Sequence, residues 1–180
     1  TGTAQTYLPQ NDQPITIGAS RLAIGGFSLL IIMMLKKKIN FRTWPWKETV
    51  VAALCMALFQ PLFFTSVRVT GIAIVTVVAI GSAPIYSGLI EWLILKLRPS
   101  RAWVIATALS VIGCSLLFLN KDALTVNPLG VTLSLIAGFV FAIYTIVSKA
   151  LLVKVEAIPA VAMTFSISAT ILMPFLFIFD

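Results

Sequence analysis

The sequence predicts an all-α fold, a polytopic bundle of transmembrane helices. Of the 180 residues, 59% are hydrophobic and only 11% are charged, whereas soluble domains are about 45–50% apolar and about 25% charged. The mean hydropathy is +1.05. The net charge of +7 comes from residues that fall between apolar runs, whereas a nucleic-acid binder clusters Lys and Arg on a solvated surface. We therefore expect the lipid bilayer, and no nucleic acid, as a partner.

Six apolar runs are each long enough to cross about 30 Å of hydrocarbon as a helix that rises about 1.5 Å per residue. We predict spans over residues 15–35, 49–66, 72–94, 103–120, 129–148 and 158–179. The breaks between successive runs are polar, basic or rich in helix-interrupting Gly and Pro. In chain order they read "KKKINFRTWPWKE", "RVTG", "LKLRPSR", "NKDALTVNP" and "KVEAIP".

Loop charge predicts which side of the membrane each loop faces, because Lys and Arg concentrate in cytoplasmic loops. Alternate loops hold ten of the 13 basic residues, so we place the first, third and fifth loops in the cytoplasm. These ten are Lys36, Lys37, Lys38, Arg42, Lys47, Lys96, Arg98, Arg101, Lys149 and Lys154.

One face of the first span carries Gly18, Arg21, Gly25 and Ser28, at helical spacings of three and four. Arg21 lies roughly 9 Å along the helix from its outer end. A cation at this depth either extends its side chain to the outer headgroups or lines a cavity or helix contact. The small neighbours on its face favour the inward position, so Arg21 is our first candidate for substrate binding.

The third span repeats this pattern with Gly81, Pro84, Gly88 and Glu91. Pro84 removes a backbone hydrogen bond near mid-span, and the freed carbonyl needs a partner or water. Transporter helices are interrupted in this way near the midplane, where substrate sits; the alternative is a kink filled by a neighbouring helix. Glu91 lies near the inner boundary, where we expect pairing with Lys96 or Arg98 or simple solvation.

Gln60, Tyr86 and Tyr144 complete the candidate substrate-binding set, although each side chain could equally bond or pack against a neighbouring helix. Small residues recur at helical spacing in the last two spans and predict close helix packing rather than a site. They are Ser134, Gly138, Ala142 and Thr145, then Ala162, Ser166 and Thr170.

The segment "ALFQPLFFTSVRVTGIAIVTVVAIGSAPIYSGLIEWLILKLRPSRAWVIATALSVIGCSLLF", residues 57–119, resembles the third to fifth spans of EamA-type transporters of the drug/metabolite transporter superfamily. "TGTAQ" is similar to the end of the family's first span, "GASRLAIGG" to its second span, with the Arg matched at Arg21, and "NPLGVTLSLIAGFVFAIYTIVSKALL" to the start of its second repeat. The family commonly has Gly-Glu after the fourth span. This chain has Lys96-Leu97 there, so no role of that Glu carries over.

The resemblance implies ten spans in two inverted five-helix repeats. Residues 1–120 would hold a first repeat that lacks most of its first span, and residues 121–180 the start of the second, so we expect a fragment of a longer protein. It further implies a transporter in a bacterial inner membrane, moving small metabolites or drugs, commonly by export.

Two other classes remain open at this stage. One is a small channel or assembly subunit, for which a homodimer is an obvious form, and the other is a membrane enzyme with its active site outside this sequence. We expect no enzyme and no cofactor or metal, because a chain without histidine and with one acidic residue well inside a span offers no nucleophile–base or ligand set.

The charge bias predicts that cysteines substituted at Lys37 and Arg98 in a cysteine-free background resist an impermeant thiol reagent added outside intact cells, whereas one at Asp122 reacts. Labelling of permeabilised cells is the control that every position is reactive. The reverse pattern in intact cells would invert the assigned orientation.

Overall fold

The computed structural model describes residues 14–36, 39, 41–93, 96, 100–119 and 127–179, with side chains except at 14–17, 114–119 and 175–179. These residues form six α-helices, each at a predicted span, so the all-α class is confirmed. Five are long and apolar enough to cross a membrane, and α4 has a shorter apolar stretch with described side chains. The labelling positions Lys37, Arg98 and Asp122 lie outside the described residues. The helices are α1 (Pro14–Leu35), α2 (Trp46–Thr70), α3 (Ile72–Leu93), α4 (Arg101–Leu119), α5 (Pro128–Leu152) and α6 (Ala157–Phe179).

The helices do not pack in chain order. Helix α5 lies against both α2 and α3, which are joined to each other by the single residue Gly71. Helix α1 packs chiefly on α6, and α2 contacts both of them, while α4 packs on α3. The positive φ of Gly71, +91°, is a conformation that glycine adopts without steric cost, which allows this one-residue reversal between spans.

A seam of small residues on α5 permits its close approach to α2 and α3. Five residues at helical spacing along one face of this helix are buried. A Cβ atom placed on Gly130 would lie 1.8 Å from Thr70 Oγ1 on α2. One placed on Gly138 would lie 2.2 Å from Ser82 Oγ on α3. Helices in lipid associate through such close packing because burying apolar surface gives no gain there. The seam consists of Gly130, Ser134, Ala137, Gly138 and Ala142.

Hydroxyl groups reinforce the outer part of the α2–α5 contact. Ser66 donates a hydrogen bond to the carbonyl of Gly130, and Thr70 donates one of 3.2 Å to the carbonyl of Asn127. The Asn127 side chain in turn accepts from the backbone N–H of Leu129 and caps the start of α5. The outer ends of α2 and α5 are therefore joined by short side chains with little freedom to move.

A second close contact joins α1 to α6 and α2. A Cβ atom on Gly26 would lie 2.6 Å from the backbone nitrogen of Ser166. Ser168 donates a hydrogen bond of 2.9 Å to the carbonyl of Ala53 on α2. Around these contacts lies a buried apolar cluster drawn from all three helices, formed by Ala19, Leu22, Met56, Ala57, Ala169 and Leu172.

Gly130→Ala is expected to destabilise the protein by about 1–3 kcal/mol, the usual cost of adding a methylene to a filled contact, because the new methyl group meets Thr70. Gly113→Ala is the matched control, since no heavy atom lies within 4 Å of a Cβ there, and Ala favours a helix over Gly. Thermal unfolding of purified protein in detergent measures both. Equal melting temperatures for the two variants would contradict the close contact.

Candidate functional site

The part of the α1–α2 contact on the predicted outer side holds Arg21, the charged residue that lies furthest from either end of a described helix. Gly18 leaves room for α2, and a Cβ atom there would lie 2.8 Å from the Cβ atom of Gln60. On the same helix contact, Arg21 Cζ lies 5.6 Å from the ring centroid of Phe64, within the range of a cation–π contact. Gln60 and Phe64 are both buried, so the packing of α2 holds the ring beside the cation.

The Arg21 side chain is exposed beyond its contact with Phe64. Nothing lies within 4 Å of a Cβ atom on Gly25, one turn along the same face. The Ser28 hydroxyl donates to the carbonyl of Ile24 in its own helix. The predicted face therefore starts as a helix contact at Gly18 and becomes open surface from Arg21 onward.

No carboxylate among the described residues neutralises Arg21. The three that are described are Glu48, Glu91 and Glu156, and all lie at the ends of helices on the predicted cytoplasmic side. Arg21 lies about 20 Å from that end of α1, at about 1.5 Å per residue. One face of the guanidinium lies against an aromatic ring, and no carboxylate of the described chain pairs with it.

Pro84 lies where α3 contacts α4. The carbonyl of Gly81 accepts a hydrogen bond of 2.8 Å from Ser110, and that of Pro84 accepts one of 2.8 Å from the indole N–H of Trp103. The Trp103 ring covers Gly88, where a Cβ atom would lie 2.0 Å from it. Two carbonyls near the proline thus accept from donors on a neighbouring helix, and the role of Pro84 in substrate binding stays a prediction.

The remaining candidates lie around α5. Tyr86 on α3 packs edge-on against Phe139, with ring centroids 5.5 Å apart. Tyr144 packs against Phe141 and against the apolar cluster of α1, α2 and α6. The structure thus brings Arg21 and Gln60 to one contact and leaves Pro84, Tyr86 and Tyr144 at others. Their substrate-binding roles stay predictions.

The structure gives Glu91 a partner that the sequence did not suggest. Its Oε1 lies 2.6 Å from Nζ of Lys149 on α5; of the two partners considered from the sequence, Arg98 lies outside the described residues. Lys149 reaches Glu91 because α5 runs beside α3, a neighbour relation that no local pattern reveals. A second ion pair joins Glu48 at the start of α2 to Lys154 in the turn after α5. Phe64, Trp103 and this second pair were missed as well, and only the small size of Gly18 and Gly88 hinted that large side chains pack there.

An open groove of about 320 Å³ runs between α3 and α4. Its lining is mostly apolar, with hydroxyls from Thr76 and Ser110 and no charged side chain. It has no group comparable to Arg21 for orienting a polar solute. The α1–α2 contact is therefore the better candidate site.

The apolar helices, five of them long enough to cross a membrane, define a multi-pass membrane protein. The EamA-like transporter family matches residues 1–119 of this sequence, and the chain belongs to that family. An uncharacterized transporter of Bacillus subtilis (strain 168), YwfM, is 44% identical over all 180 residues. The chain spans 61% of the length of that relative. No solved structure matches the chain.

Lys96 lies in the turn between α3 and α4. Its φ is +54°, in the left-handed region that glycine enters freely and other residues enter at a cost of about 1 kcal/mol or more.

Trp103→Phe is expected to lower stability by about 1 kcal/mol, because it keeps a ring over Gly88 but removes the N–H that the Pro84 carbonyl accepts. Trp92→Phe is the control, since Trp92 is exposed near the same boundary. Melting temperatures in detergent report the difference. A Trp103 variant as stable as the Trp92 variant would mean that this hydrogen bond contributes nothing measurable.

Proposed function

We propose that this protein carries small metabolites or drugs across a bacterial plasma membrane by alternating access, and that its net direction is export. Membership in a transporter family supports the general activity. The observation that carries the proposal is Arg21, a cation about one third of the way through a span, with a ring on one side and open surface on the other. A charge costs a few kcal/mol inside a span and is retained where it meets a solute or water.

The chemistry of the site favours a substrate with a carboxylate or phosphate. A guanidinium binds planar oxyanions through two parallel hydrogen bonds. The Phe64 ring limits the orientations of the guanidinium, and the buried Gln60 amide, which packs against Gly18 on the same helix contact, offers both a donor and an acceptor. Such a set recognises a polar end of a small molecule while the surrounding apolar side chains accommodate the rest.

The two ends of the bundle differ in a way that supports alternating access. Ion pairs join α2, α3 and the end of α5 on the predicted cytoplasmic side, while Arg21 is exposed in the outer half of α1. In the proposed cycle, this arrangement is the state that is closed on the cytoplasmic side, with Arg21 accessible from outside. A carrier must also visit the opposite state, in which the inner contacts separate.

Arg21→Lys keeps the charge but loses the two-pronged hydrogen bonding, and Arg21→Gln loses both. In the full-length transporter, we expect Lys to weaken apparent substrate affinity about tenfold and Gln to reduce transport to near background, with both variants present in the membrane at wild-type amounts. The measurement is uptake into inside-out vesicles of candidate metabolites with and without a carboxylate, alongside the amount of folded protein.

Arg68→Gln is the matched control, because Arg68 is an exposed cation in the last turn of α2, on the same predicted outer side. It should transport normally. Wild-type transport in both Arg21 variants would mean that Arg21 only reaches for the headgroups. Loss of folded protein with unchanged transport per molecule would assign it a structural role.

A further inference from the structure

Two ion pairs join parts of the chain that are distant in sequence. Glu91 at the inner end of α3 pairs with Lys149 at the inner end of α5, 58 residues away. Glu48 in the first turn of α2 pairs with Lys154 in the turn that follows α5, 106 residues away. Together they attach the inner end of α5 to both of the helices on which it packs. We call these two ion pairs the inner clasp.

The contacts of α5 change along its length. The buried seam begins at Gly130 and stops at Ala142, and residues 143–150 are only half-buried or exposed. Close packing therefore covers roughly the outer two thirds of the helix. The inner third is attached by aromatic rings, by the buried Leu151 and by the inner clasp.

The two ends also differ in how easily their contacts separate. The outer contact uses short hydroxyl side chains and glycine, and has no space to rearrange. The clasp uses long side chains, with Lys149 and Lys154 exposed by 62% and 52%. Exposed ion pairs add little net stability, because water solvates the separated charges well. The inner contacts are therefore the ones that separate at least cost.

We propose that the inner clasp is the cytoplasmic closure of the transporter: α5 pivots on its glycine seam, and both ion pairs break when the inner side opens. This inference rests on the alternating-access part of the proposed function. Each ion pair shifts the balance toward the inward-closed state by an amount typical of an exposed pair, and the two act together because both retain the same helix end.

The test measures opening directly, without requiring transport. Thr145→Cys places a reporter on the half-buried inner third of α5, in the full-length protein with Cys55 and Cys114 replaced by Ala. Inside-out vesicles are treated with an impermeant maleimide, and the labelling rate is normalised to the protein that remains monodisperse after extraction. Lys149→Gln and Lys154→Gln each remove one pair. Lys47→Gln removes the same charge at the same end outside both pairs.

Each neutralisation should raise the labelling rate about two- to fivefold, the range an exposed ion pair allows, and the double variant should show the product of the two effects. Lys47→Gln should label like the parent protein. Exchanging the charges with Glu91→Lys and Lys149→Glu together should restore the parent rate. Unchanged labelling in the double variant, or failure of the exchange to restore the rate, would overturn the clasp, whatever the Arg21 variants show about substrate.

Discussion

The close approach of α5 to α2 and α3 is the constraint on which the rest of the structure depends. In lipid, helices gain nothing from hiding apolar surface from each other, so contact distance decides whether they associate. Gly130 and Gly138 allow backbones to meet where any Cβ atom would collide with Thr70 or Ser82. With α5 so placed, its inner end lies beside α3, where Lys149 reaches Glu91.

The distribution of polar contacts follows from the same arrangement. The carbonyls of Gly81 and Pro84 accept hydrogen bonds from Ser110 and Trp103 on α4, which joins α4 to α3. The described carboxylates sit at the helix ends on the predicted cytoplasmic side. Arg21 lies further along a span than any other described charged residue and has an aromatic ring, not one of these carboxylates, as its neighbour. This combination makes it the candidate for an external anion.

Much of the architecture was predictable from local pattern, because a helix in lipid satisfies its own backbone and each apolar run is long enough to need no other information. The structured helices match the predicted spans to within a few residues at each end. The small-residue face of α5 was predictable too, since Ser134, Gly138 and Ala142 follow helical spacing and are buried. The candidate site was less predictable from local pattern. Arg21 stood out by its cost in lipid, whereas Phe64, 43 positions away, carried no signal that distinguishes it from other apolar residues.

The sequence by itself determined how many helices the described residues form and where each begins and ends. It also identified the residues that are costly in a membrane, and its loop charges predict the orientation of the helices. Each of these depends on interactions within one helix or between one residue and its solvent. Only the tertiary structure decided that α5 packs on both α2 and α3, that Glu91 pairs with Lys149, and that Trp103 covers Gly88. These contacts depend on which helix faces which, and many helix pairs with small residues could meet equally well when judged one at a time.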